Sequence, residues 1–141
     1  MYNVIVGNNL DLGLILLTYK GKVLLMHRNT QPNILEIKDW CFIGGVKEKH
    51  KSFEETICRD VERETSIRLK EVELLSDGLY SDEKKHFYHA ELTDENVNDI
   101  KRGEGQALDF FTLRELERLN LSPSTKLFVE KHWGLLKQIH I

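Results

Sequence analysis

Two carboxylates four residues apart, Asp60 and Glu64, are the residues in this chain whose placement first points to chemistry. On a helical wheel of 100° per residue, Phe53, Ile57 and Val61 mark an apolar face. Asp60 and Glu64 fall at the margin of that face, within about 20° of Phe53 by the same rotation. Glu54, Glu55 and Glu62 lie toward the outer side. Two like charges at this spacing repel by about 0.2–0.5 kcal/mol on an isolated helix. Placed near a core boundary, they require a cation. A divalent metal bound by hard oxygen ligands, Mg²⁺ or Mn²⁺, is one candidate. Arg59 or Arg63 is the other, and in that case the pair needs no function. Just upstream, Gly44-Gly45 leads into a polar loop that feeds the helix. A loop entering a helix N-terminus can present N–H groups and a positive dipole end to an anion.

The elements that must hold these residues are legible in the pattern. Ser52 as N-cap and Glu55 three residues on form a capping box, and helical spacing runs from Phe53 to about Thr65. Before it, Leu10–Tyr19 and Val23–His27 are apolar-rich and separated by Lys20-Gly21-Lys22. This predicts a β-hairpin with Gly21 taking the positive φ of a tight turn. Asn29–Lys38 reads as a loop, Trp40–Ile43 as a short strand stopped by Gly44-Gly45, and Val46–Lys51 as a polar loop. Glu71–Leu79 and Lys84–Leu92 form a second strand pair, and Ala107–Phe111 a last strand. Thr93–Lys101 is ambiguous, with Val97 and Ile100 its only apolar anchors. Thr112 with Glu115 is a second capping box and starts a short helix to about Leu119. Ser122-Pro123 opens a final helix to about Gln138. With no linker, repeat or low-complexity tract, residues 1–141 read as a single domain of the α/β class. A sheet covered by helices on both faces is the simplest architecture.

Composition sets limits on function. The chain has 141 residues, 40% of them apolar and 30% charged, as in a soluble globular protein. Its formal net charge of −3 argues against a nucleic-acid duplex as partner, because such binding rests on phosphate neutralisation. It leaves room for a small anionic ligand carried with a divalent cation. The longest clean apolar stretch, Leu14–Leu17, is far short of a membrane span, and Met1-Tyr2-Asn3-Val4 has no signal-peptide character. Cys41 and Cys58 are not in a CxxC spacing, so a cytoplasmic protein with free thiols is expected. His86 and His89, three apart on a predicted strand, point to opposite faces and make no joint site.

The stretch Gly44–Ile67 resembles the Nudix box, Gly-x5-Glu-x7-Arg-Glu-U-x-Glu-Glu-x-Gly-U with U aliphatic. Aligned without gaps, Gly45 takes the first position, Arg59 the arginine, Val61 and Ile67 the aliphatic positions, and Glu64 the last glutamate. The flanks continue the likeness. Trp40–Gly45 is similar to the family's tryptophan-to-Gly-Gly stretch, Leu24–Arg28 to the strand ending in a substrate-side arginine. Glu104-Gly105-Gln106 with Phe110-Phe111-Thr112 is similar to the C-terminal part of MutT-like members. Four box positions depart from the pattern: Lys51 and Arg63 stand where glutamates are expected, Asp60 is one methylene shorter, and Ser66 replaces the glycine.

The resemblance implies an α/β/α sandwich with a mixed sheet. It also implies metal-assisted hydrolysis of a nucleoside diphosphate linked to another group, a small-molecule nucleotide derivative. By that resemblance, Asp60, Glu64 and Glu104 would be metal ligands, with Asp60 and Glu64 catalytic. Arg28, Gly45 and Lys51 would contact substrate, and Gly44 and Arg59 would be structural. Three carboxylates suit one Mg²⁺ or Mn²⁺ ion rather than several, since Arg63 and Lys51 repel more. Lys51, with Lys47, Lys49 and His50 nearby, would contact phosphate directly or belong to a solvated loop. The alternative from the same charge reversal is a catalytically inactive Nudix domain that binds a nucleotide or a partner.

Overall fold

The computed structural model describes residues 11–28, 39–80, 83–101 and 106–140. Asp11–Tyr19 (β1) and Lys22–Arg28 (β2) form the expected hairpin. Its turn is tighter than the sequence suggests. Lys20 and Gly21 alone span it, both at positive φ (49° and 78°), and Lys22 already pairs with Tyr19. Two consecutive left-handed residues match the twist of the strands they join.

The two hairpin strands then diverge and recruit different partners. The first half of β1 pairs with Ile43–Val46 (β4), and the far half of β2 with Trp40–Cys41 (β3). On the other side of β1, Glu83–Glu91 (β6) runs parallel to it, and Glu73–Tyr80 (β5) pairs antiparallel with β6. Gln106–Phe111 (β7) closes the far side of β2. Among the described residues these seven strands form one mixed sheet.

Alternation sorts the core into two clusters. Ile15, Leu17, Leu24, Met26, Tyr88 and Ala90 face one way, against Ile57 and Val61 of Phe53–Thr65 (α1). Val97, in the short helix Asp94–Asn98 (α2), and Ile100 just beyond it pack on this side too, which resolves the ambiguous Thr93–Lys101 stretch. Leu16, Val23, Leu25 and Phe87 face the other way, against Leu113–Leu116 (α3), Pro123–Lys131 (α4) and Trp133–His140 (α5). The result is the α/β/α sandwich.

Two expectations need correction. Gly44-Gly45 does not stop a strand; both glycines lie inside β4, opposite Leu14 and Gly13. Gly44 has φ +151°, and a Cβ there would sit 2.0 Å from the Gly13 carbonyl oxygen, so only glycine lets the backbones approach this closely. The final helix is likewise two helices, broken at His132 (φ −118°, ψ 33°). The break lets Phe128 and Val129 of α4 and Leu136 of α5 enter the same core. Gly134, a poor helix former, stands just beyond it.

Candidate active site

The site is built on α1 and the loop that enters it. Ser52 Oγ accepts from the Glu55 amide (3.0 Å) while the Ser52 amide donates to Glu55 Oε1 (2.8 Å), as the capping box predicts. This pairing and the Ser52 backbone hold the Glu55 carboxyl below its ordinary value. Tyr88 of β6 donates its hydroxyl to Glu54 Oε2 (3.2 Å) and anchors the first turn to the sheet. Burial, then the Glu54 charge, pushes the Tyr88 phenol up to about 12. Phe53 stacks on His86, with ring centroids 3.8 Å apart, and Lys47 Nζ lies 5.7 Å from the Phe53 centroid.

Asp60 and Glu64 lie on the inner side of α1, with side chains 3% and 8% exposed. The strand β4 passes so close that a Cβ on Gly45 would meet Asp60 Oδ2 at 3.3 Å. Gly45 and the first carboxylate thus come together, as does the second carboxylate one helical turn on. The cation between them is Arg63. Its Nη2 donates to Asp60 Oδ1 at 2.7 Å, and its Nε lies 3.8 Å from Glu64 Oε2. Arg59 adds a longer contact to the same Asp60 oxygen (3.4 Å). Its Nη1 pairs with Glu48, tying the loop to the helix, while its buried Nε has no hydrogen-bond partner among the described residues.

The remaining expected residues lie elsewhere. Lys51 is exposed beside the Ser52 cap, and Asp60 lies about 12 Å further along the helix axis at 1.5 Å per residue. The two are therefore about two helical turns apart, Lys51 before the first turn and Asp60 in the middle of α1. Lys47 is engaged by the Glu48 carbonyl (3.2 Å) as well as by Phe53. Arg28 ends β2, where its backbone pairs with Gln106, but its side chain lies outside the described residues, and so does Glu104. Cys58 and Cys41 are not joined in a disulfide, and burial, then Glu54, pushes the Cys58 thiol up, away from nucleophilic use.

The donor set must also be tested against a divalent ion. Among the described residues no group of three His, Cys, Asp or Glu side chains could hold one. An ion at Asp60 and Glu64 would face the Arg63 guanidinium at ion-pair distance, so the two carboxylates would take a metal only with that side chain moved aside.

Residues 8–132 match the model of the NUDIX domain. The chain belongs to the Nudix family. Solved structures give the same fold at low identity. A MutT/Nudix family protein from Listeria innocua aligns with TM-score 0.72 at 16% identity, over 93% of this chain and 96% of that one. A MutT Nudix hydrolase from Burkholderia pseudomallei aligns with TM-score 0.67 at 22% identity, over 86% and 95%. The Nudix domain of Shewanella oneidensis NrtR, complexed with ADP ribose, gives 0.66 at 18%, over 90% and 88%. No curated protein matches the chain in sequence.

Within this Nudix domain the four departures acquire local explanations. Ser66, at the box glycine, keeps the backbone the glycine would serve: it caps α1 in the left-handed region (φ 70°), its amide bonded to the Glu62 carbonyl at 2.8 Å. Asp60 and Arg63, two more of the departures, meet each other, the shorter acid accepting from the guanidinium. Lys51 stands at the surface beside the Ser52–Glu55 cap, where its charge adds to the lowering of the Glu55 carboxyl. Sequence reasoning missed the Phe53–His86 stack and the Tyr88–Glu54 bond. The alternation of β6 puts His86 and Tyr88 on the α1 face, which was the available signal.

Proposed function

We propose that this Nudix domain binds a nucleoside diphosphate derivative and turns it over slowly or not at all. The observation that carries this reading is the Arg63–Asp60 pair at 2.7 Å, with Glu64 Oε2 3.8 Å from the same guanidinium. An arginine fixed between the box carboxylates neutralises charge that hydrolysis would need for a metal and for water activation. The ADP ribose held by the Shewanella oneidensis domain supports a ribose diphosphate compound as the first probe. The reading takes the chain as one domain working in a reducing cytoplasm, where its two cysteines stay reduced.

A second reading, metal-assisted pyrophosphohydrolysis, is favoured by the exposure of Arg63, whose side chain is 59% accessible and so held by a weak pair. There Asp60, Glu64 and Glu104 would hold one Mg²⁺ or Mn²⁺ ion. The ion would neutralise charge on the phosphate oxygens. Asp60 or Glu64 would accept the proton of the attacking water, and Arg28 and Gly45 would position the diphosphate. The test is a panel of nucleoside diphosphate derivatives, ADP ribose included, with Mg²⁺ and Mn²⁺, followed by calorimetry for binding and chromatography for products. Binding without products is the expected result. Turnover that disappears in Glu64→Gln establishes the second reading, and neither binding nor turnover refutes both.

A further inference from the structure

We infer that Arg63 is a built-in counter-ion: its guanidinium holds the place of the divalent cation, so the site is metal-independent and meets the diphosphate through Arg63 itself. The inference deepens the proposed binding function and rests on it for the identity of the ligand.

The geometry has three parts. Asp60 and Glu64 are almost wholly buried, and a single guanidinium lies within 4 Å of both. The Asp60 contact is a short charge-assisted hydrogen bond at 2.7 Å, and Gly45 closes the other oxygen of the same carboxylate. The Arg63 side chain is nevertheless 59% exposed. A guanidinium carries five N–H donors in a planar fork. One meets Asp60, and even with Nε, 3.8 Å from Glu64 Oε2, set aside the guanidinium keeps donors for two phosphate oxygens, the geometry in which arginine binds phosphate best. A divalent ion placed at the same carboxylates would have to displace this head or lie against it. Arg59 makes only the longer 3.4 Å contact to Asp60, with its other terminal nitrogen on Glu48 of the loop. Residue 63 therefore decides which cation the carboxylates take, and a glutamate there would add a third carboxylate beside the existing two.

The test has two arms on the full chain. In the first, thermal melts are recorded without nucleotide, in Mn²⁺ and in NaCl of matched ionic strength, for wild type, Arg63→Glu and Arg63→Gln. The wild type should melt at the same temperature in both salts, whereas both variants should be raised by Mn²⁺, Arg63→Glu more. The Gln variant keeps this arm decisive if Arg63→Glu fails to fold. A Mn²⁺-induced rise in wild type, or no rise in either variant, overturns the inference. In the second arm, ADP ribose binding is measured by calorimetry in Mg²⁺ and in EDTA. Wild type should bind equally in both, and Arg63→Gln in EDTA should bind about ten-fold more weakly, the loss of one charge-assisted hydrogen bond. Binding by wild type that requires Mg²⁺ overturns the inference while leaving the binding function intact. No binding by any protein in either buffer refutes the proposed function, and the melts then decide the role of Arg63 alone.

Discussion

The two faces of the sheet are covered by helices of opposite character. Against α3, α4 and α5 the strands present rings and branched chains: Phe42, Phe87 and Phe128 meet with centroids 4.1–6.0 Å apart. Against α1 they present Ile15, Leu17 and Tyr88, but the helix also buries Thr56, Asp60, Glu64 and Thr65. One face is chiefly apolar, although it too buries Lys85 of β6, on the Phe87 side, and Thr125 of α4. The other buries two carboxylates one helical turn apart, which is costly unless they are paired, and meets them with Arg63, Arg59 and two glycines that bring backbone close. The difference separates a face that supplies stability from a face that supplies a site.

The comparison can be broken most sharply on the apolar side. Phe128→Ala should destabilise the fold by about 3–5 kcal/mol, as for a large buried aromatic, read from denaturant unfolding. On the site face the largest effect falls on backbone rather than charge. Gly44→Ala should cost about 3 kcal/mol through strained φ and collision with the Gly13 carbonyl, seen in the same assay. Arg63→Ala should destabilise by about 1–3 kcal/mol, because it takes the 2.7 Å partner from the buried Asp60 carboxylate. No loss at all would show that the carboxylate does not depend on this pair. Ser66→Gly should act in the opposite direction and stabilise by about 1 kcal/mol, because Ser66 occupies a left-handed cap that glycine adopts without strain.

The smallest effect is in pH. Burial, only partly opposed by Glu91 and Glu73, holds His89 below its ordinary 6.5, and burial, then Lys131, does the same to His132. The unfolded chain therefore takes up these protons first. The histidines carry no penalty above pH 6.5, and stability is lost as pH falls from 6.5 through their folded values. The lowered carboxyls of Glu55 and Asp94 contribute stability that is lost only at lower pH, below their ordinary 4.5 and 3.8. Thermal melts between about pH 7 and pH 5 should slope down toward acid, and the slope should flatten in His89→Gln.

Much of the scaffold was legible because its signals are local. The Ser52–Glu55 and Thr112–Glu115 boxes each cap a helix where the spacing puts them. The alternation along β1 and β2 sorts residues between two cores. Where the reading failed, the cause was an approach between segments far apart in sequence. Gly44-Gly45 looks like a strand breaker until Gly13 is brought opposite it. Ser122 onward looks like one helix until two sets of side chains must reach one core.

The sequence by itself determined that two acids would lie four apart on one side of a capped helix, with Arg59 and Arg63 at hand, because helical rotation is a local property of the chain. Which cation those acids take was decided only in the folded molecule. Both arginines are within reach by spacing and both contact Asp60, yet Glu48 of the loop takes one end of Arg59, which reaches Asp60 only at 3.4 Å, and Gly45 passes close to the other Asp60 oxygen. That leaves Arg63 to bridge the acids. Long side chains with several rotamers respond to what surrounds them, and here the surroundings come from a loop and a strand whose positions depend on tertiary packing.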